Sequence, residues 1–283
     1  MNLKPPNSRR NLDIAIDRVL RDSGNPLQIR TAIANTIIGQ MLPEGAVKGG
    51  SALKLRYGNK STRFSRDLDT SRAEDLSEYL QKLDYSLSAG WCGFTGRIIR
   101  KEPPQPKGVP NEYIMQPFEI KLSYLDRSWL TVPLEIGHDE IGDTKNPDVV
   151  ISDDIIEIFS RLGFTAPQPV ALMSVHHQIA QKLHAASELG SHRAHDLIDL
   201  QIIAQNEKLD LQLIRKTCVR LFSSRKMQSW PPVIIKGDDW ESLYNAQITG
   251  LSVLRTAEEA VTWTNEFIIN IDRSRQQDRG DER

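Results

Sequence analysis

At 283 residues, with 39% apolar and 26% charged residues, the chain has room for one large domain or two modest ones and enough apolar content for a real core. A formal net charge of −1 excludes a global field of the kind that marks a general nucleic-acid binder, so any such binding falls to local patches. Two cysteines 126 positions apart, Cys92 and Cys218, exclude a disulfide scaffold and a clustered zinc site and read as buried thiols.

The opening segment MNLKPPNSRR has no apolar signal-peptide core, and no apolar run approaches the ~20 residues of a membrane span. The expectation is a cytoplasmic protein with no membrane partner. Residues 11–24 read as an amphipathic helix with Leu12, Ile14, Ile16, Val19 and Leu20 apolar and Gly24 as the stop. Pro26 opens a second helix to about Leu42, with Ile29, Ile33, Ile37 and Ile38 on one stripe. VKGGSALKLRYG reads as a short strand, a glycine turn and a helix starting near Ser51. RDLDTS (66–71) is a strand with its acids on one face, 73–87 a helix and 94–101 a strand. The segment 102–111, with four prolines and a glycine, is a surface loop. MQPFEIKLSYLD and SWLTVPLEIGHDE alternate apolar and polar residues around Asp126-Arg127, which predicts an antiparallel hairpin.

Beyond Asp153 the pattern turns helical, with helices at about 153–162, 174–189, 194–205, 210–223, 238–246 and 256–273 and a charged, frayed tail at 274–283. Residues 1–150 therefore read as an α+β domain and 151–283 as an all-helical one. The prolines at 165–170 mark either the joint or an ordinary inter-helix loop.

The chemistry concentrates at 48–71. Gly49 and Gly50 remove side chains where the backbone turns, and Ser51 sits near a helix start, so amides, a hydroxyl and the positive end of a helix dipole face a prospective phosphate. Asp67 and Asp69 follow; two apart on a strand, they point the same way and make a hard oxygen site of the kind that suits Mg²⁺. From Lys48 to Arg66 the segment carries six cations and no acid: Lys48, Lys54, Arg56, Lys60, Arg63 and Arg66. They read either as a solvated basic face or as an electropositive rim for a polyanion.

KGGSALKLRYG followed by RFSRDLD resembles the first motif of the AbiEii/AbiGii-type nucleotidyltransferase toxins, nearly gap-free across 48–69. The resemblance implies a polymerase β-like fold with a mixed sheet. Gly49, Gly50 and Ser51 would hold a nucleoside triphosphate, and Asp67 and Asp69 a Mg²⁺ ion. Such folds use a third acid on a neighbouring strand; Glu135 stands in the strand where the family places it, with Glu119 the alternative. A family lysine, arginine and basic–Asp–x–x–Asp–Leu signature falls here on Lys182, Arg193 and His195 to Leu200. By resemblance Lys182 would contact the triphosphate, with Asp199 orienting it, and Asp196 and Arg193 supporting; the helical domain would complete the nucleotide cleft. Spacing alone equally allows an inter-helix ion network of Lys182 and Arg193 with Asp196 and Asp199. His176, His177, His184 and His192 are too irregularly spaced for a metal set.

A second basic stretch, 215–230, has no acid nearby and reads as an RNA-facing surface with Trp230 stacking, or as a solvated helix face. The expected function is a Mg²⁺-dependent toxin of a toxin–antitoxin or phage-defence pair, moving a nucleoside monophosphate from an NTP to an acceptor, the tRNA 3′ end foremost. A cognate antitoxin is implied by the same resemblance. Protein nucleotidylation and a non-catalytic nucleotide-binding module are the alternatives.

Overall fold

A computed structural model describes residues 4–20, 26–103 and 115–274. It divides into two compact units, Met1–Met173 and Ser174–Arg283.

The first unit begins with two helices, α1 (Arg9–Leu20) and α2 (Pro26–Gly39). Leu12, Ile16 and Val19 of α1 are buried at helical spacing, whereas Ile14 is exposed, so the apolar stripe is narrower than the sequence suggests. The helices are clasped by Arg30, which reaches Asp13 at 2.6 Å and Asp17 at 2.8 Å. β1 (Ala46–Lys48) runs without a gap into α3 (Gly49–Tyr57). Then come β2 (Leu68–Arg72), α4 (Leu76–Ala89), β3 (Phe94–Arg100), β4 (Gln116–Tyr124), β5 (Arg127–His138), β6 (Asp148–Val150), α5 (Asp153–Arg161) and β7 (Val170–Leu172).

The seven strands form one mixed sheet in the order β3-β4-β5-β2-β1-β7-β6. β2 pairs parallel with β5, and β1 parallel with β7; the other contacts are antiparallel. The hairpin turn is Leu125-Asp126, both at positive φ, with Tyr124 paired to Arg127. That two-residue geometry matches the strand twist and places the turn one residue earlier than the sequence reading. A bulge at Leu122/Ser123 re-phases β5, so that Trp129 and Val132 both bury. Phe118, Ile120 and Leu122 of β4 join Leu134 and Ile136 of β5, Leu83 and Leu87 of α4 and the isoleucines of α2 in one core.

The strands β6 and β7 are three residues each, too short to give a periodic signal. Their presence moves the boundary between units from the expected 150/151 to 173/174. Ile155, Ile158 and Phe159 of α5, and Val170 and Leu172 of β7, all belong to the first unit's core. The proline stretch 165–170 thus leads into a sheet strand. The expected Gly24 stop, most of the 102–111 loop and the charged tail lie outside the described residues.

The second unit carries α6 (Val175–Ala186), α7 (Ala194–Asn206), α8 (Leu211–Arg225), α9 (Trp240–Asn245) and α10 (Ala257–Arg273). Asp210 caps α8 by accepting from the Leu213 amide, and Thr256 with Glu259 closes a capping box on α10. Cys218 is buried within α8, while Cys92, in the first unit, is only partly covered. Among the described residues no helix is long and apolar enough to cross a membrane.

His184 of α6 is buried against Phe222, with ring centroids 4.9 Å apart, and Arg225 donates to its Nδ1 at 3.2 Å. Burial first, and the Arg225 charge second, push the imidazole from 6.5 to about 4. Between those values the unfolded chain takes up a proton that the folded one refuses, so stability falls as pH falls through that window. Urea unfolding of His184→Gln is expected to lose less stability than the wild type from pH 6.5 to 4, the slope differing by about 1.4 kcal/mol per pH unit.

Candidate active site

The site grows from the β1–α3 junction. Gly49, the first residue of α3, has φ +64°, a left-handed conformation that glycine adopts without strain. A Cβ at Gly49 would fall inside the Asp69 carboxylate, so the glycine is what lets that acid rest on the backbone. At Gly50 a Cβ would stand 2.8 Å from the Ser65 hydroxyl and 3.2 Å from a guanidinium nitrogen of Arg63. The N-cap, Lys48, is extended and contributes no capping side chain, which leaves the helix's positive end to whatever the cradle holds.

Ser51 is 1% exposed. Its hydroxyl donates to the Asp67 main-chain carbonyl at 2.6 Å and accepts from the Asn35 amide at 3.0 Å. The sequence assigned that hydroxyl to phosphate; in this structure it ties α3 to the segment carrying the acids. Asp67 is exposed just ahead of β2, and Asp69 is half-buried within it, the two flanking buried Leu68. They therefore share the sheet face opposite the core.

Register places the two candidate third acids differently. Asp69 lies opposite Lys48 on β1 and level with Glu135 on β5. Glu119 lies opposite Pro133, beyond β5, and pairs with Lys101 at 3.0 Å. Glu135 is thus the acid adjacent to Asp69. Among the described residues no three such side chains converge on one point, so the acids form a row rather than a closed cage. A row fits Mg²⁺, which keeps water and phosphate ligands and takes only one or two carboxylates from a protein.

The basic run is not one surface. Lys54 is buried and donates to the Asn59 side chain at 3.1 Å. Arg56 reaches Asp148 at 2.8 Å and the Met173 carbonyl at 3.1 Å. Lys60 and Arg66 are exposed, Lys48 is the N-cap residue of α3, and Arg63 brings a guanidinium nitrogen to Gly50. The loop 58–62 that delivers Arg63 is clamped. Asp154 accepts from the Asn59 amide at 2.7 Å, and Gln28 donates to the carbonyls of Asn59 and Thr62 at 3.0 and 3.3 Å. Asn35, Gln28 and Asp154 were missed by the sequence reading because their partners lie 16 to 95 residues away. Ser65, within the RFSRDLD motif, was the one signal available in sequence.

In the helical unit Lys182 donates to Asp196 at 2.8 Å and to Asp199 at 2.6 Å, and all three are buried. Removing Lys182 would strip two buried carboxylates of their shared ammonium, at a cost of about 3–5 kcal/mol, whereas removing either aspartate leaves a one-to-one pair. Arg193 is exposed at the N-cap of α7, while His195 approaches Asp196 at 3.8 Å. In the second basic stretch Asp272 accepts from Arg215 at 3.1 Å and from the Trp230 indole at 2.9 Å. Trp230 also stands edge-on to Phe222 at 5.4 Å, so its ring is a packing element rather than an open stacking platform.

The sequence matches the family described as "Nucleotidyl transferase AbiEii toxin, Type IV TA system" over residues 40–269. Among solved structures, MenT4, the nucleotidyltransferase toxin Rv2826c from Mycobacterium tuberculosis H37Rv, superposes with a TM-score of 0.52 at 14% identity, covering 87% of this chain and 90% of that one. At that identity the likeness speaks for the fold. No curated protein matches the chain.

Gly49→Ala is expected to abolish Mg²⁺-dependent nucleotide binding and to destabilise by at least about 1 kcal/mol through the left-handed φ alone. In a nucleotidyl-transfer assay Glu135→Gln should lower turnover at least about 100-fold, whereas Glu119→Gln, which breaks only a half-exposed ion pair, should cost less than about 1 kcal/mol of stability and leave turnover near wild type.

Proposed function

Since this chain belongs to the AbiEii nucleotidyltransferase toxin family of type IV toxin–antitoxin systems, we propose that it transfers a nucleoside monophosphate from an NTP to the 3′ hydroxyl of RNA, tRNA foremost. The acceptor oxygen forms a bond to the α-phosphorus and pyrophosphate leaves. The observation that carries this reading is the packing of Asp69 on Gly49, which sets the acid row against the N-terminus of α3.

In this reading the first turn of α3 binds the triphosphate through its amides, with Arg63 beside them. Ser51 holds the Asp67 backbone in place. Asp67, Asp69 and Glu135 would line the Mg²⁺ site, with one or two of them bound to an ion at a time; the metal would neutralise phosphate charge and orient the reacting oxygens. Glu135, adjacent to Asp69, is the acid assigned to the attacking hydroxyl. Lys182, fixed by Asp196 and Asp199, is assigned to the nucleotide, with Arg193 supporting it. A cognate antitoxin follows from membership of a toxin–antitoxin family.

The test is to incubate the protein with Mg²⁺, total tRNA and each α-labelled NTP in turn. Label at the tRNA 3′ end, reduced at least about 100-fold in Asp69→Ala, is the expected result. Label on protein alone would replace the acceptor, and nucleotide binding without pyrophosphate release would overturn the enzymatic reading.

A further inference from the structure

Asn35 stands within α2, 2% exposed and flanked by the buried Ile33, Ala34, Thr36 and Ile37. Its side-chain amide donates to the Ser51 hydroxyl at 3.0 Å, and Ser51 in turn donates to the Asp67 carbonyl at 2.6 Å. Seven residues earlier, on the same face of the helix, Gln28 donates to the carbonyls of Asn59 and Thr62 at 3.0 and 3.3 Å. One face of α2 thus aims two amides into the segment between β1 and β2. Gln28 holds the 58–62 loop, and Asn35 holds the hydroxyl behind Asp67.

A serine hydroxyl has one proton to give. With that proton on the Asp67 carbonyl, only the NH₂ side of the Asn35 amide can face Ser51 Oγ, and the amide oxygen must point elsewhere. Asn35 Oδ1 is indeed buried with no hydrogen-bond partner among the described residues. A buried acceptor left without a donor destabilises a fold, and asparagine is a poorer helix former than alanine. Stability alone would therefore not choose asparagine here; a residue kept against stability points to function. What Asn35 adds is direction. Ser51 is the third residue of α3, where a serine hydroxyl is drawn to the carbonyls of its own preceding turn. With Asn35 donating to it from α2, the hydroxyl keeps its proton on Asp67 instead.

We propose that Asn35 is a positioning residue for the metal site: by donating to Ser51 it commits that hydroxyl to the Asp67 carbonyl and so fixes the backbone from which the Asp67 carboxylate is presented. Buried behind Ser51, it acts only through that residue. Asp67 is exposed and lies just ahead of β2, so this bond holds its peptide where no strand pairing does. A carbonyl released to tilt takes the carboxylate of the same residue with it. The inference rests on the assignment of Asp67 to the metal. Hydrogen-bonding partners behind a metal ligand are typically worth about 10–100-fold in metal affinity or activity.

The probe is Mn²⁺, its free concentration read by electron paramagnetic resonance in titrations of the full chain, with urea unfolding of each variant alongside. Asn35→Ala should weaken Mn²⁺ binding about 10-fold while its urea midpoint stays at or above that of the wild type. In a Ser51→Ala background the same substitution should change Mn²⁺ affinity less than about twofold, because the hydroxyl it directs is gone. Wild-type affinity in Asn35→Ala overturns the inference, as does an undiminished effect in the Ser51→Ala background. A lower urea midpoint, or a chain that does not fold, would make Asn35 a packing residue and overturn it too. Asp67→Asn separates the inference from the reading beneath it. If Asp67→Asn binds Mn²⁺ like the wild type, the metal assignment fails; if it loses Mn²⁺ while Asn35→Ala keeps it, only the role of Asn35 fails.

Discussion

The contact on which the N-terminal unit's chemistry depends is the seating of the Asp69 carboxylate against the α-carbon of Gly49. A left-handed residue at 49 starts a helix directly from the end of β1, and the absence of a side chain lets an acid from the neighbouring strand lie against that start. Negative charge at a helix N-terminus is favourable on its own, typically by 0.3–1 kcal/mol, so the acid and the helix end stabilise each other before any ligand arrives. Ser51 completes the link from below. Its hydroxyl is buried and engaged on both sides, so the positions of Asp67 and of the α3 start are set together. Each such neutral bond contributes about 1 kcal/mol net, but leaving a buried partner unmade costs more.

From that contact the rest of the face follows by register. The parallel pairing of β2 with β5 brings Glu135 level with Asp69, and the antiparallel pairing with β1 brings Lys48 to its other side. An acid row therefore carries a cation at one end. Two of the cations along the same segment are engaged elsewhere. Lys54 braces the 58–62 loop through Asn59, and Arg56 ties α3 to Asp148. In the helical unit, considered by itself, Lys182 is held between two buried carboxylates, a geometry that fixes its ammonium far better than solvent would.

Much of this was legible in sequence because local chemistry agreed with the fold. The double glycine and serine, the alternation through Asp67 and Asp69 and the strong helical periodicities of the C-terminal unit each point to one local structure. What was not legible depended on distance along the chain. β6 and β7 are too short to show alternation, so the joint between units was drawn 23 residues early. Periodicity could not choose between Glu119 and Glu135, since both alternate with buried neighbours; only the pairing of β5 with β2 separates them. The Ser51 hydroxyl looked available for phosphate because its partners, Asn35 and the Asp67 carbonyl, are invisible to a reading of the turn alone. Charge runs misled for the same reason, as the acids that neutralise Arg56 and Arg215 lie 92 and 57 residues away.

The central claim is that the Gly49 turn and the acid row face one metal–triphosphate. Crystals grown with Mn²⁺ and a non-hydrolysable NTP analogue test it most directly through the anomalous signal of the metal. The account predicts a peak bonded to Asp67 or Asp69 and to phosphate oxygens, at distances near the ~2.1 Å typical of small hard divalent ions, with the phosphates on the first turn of α3. A peak at the Asp139–Asp143 loop instead, or phosphates bound away from Gly50, would contradict it.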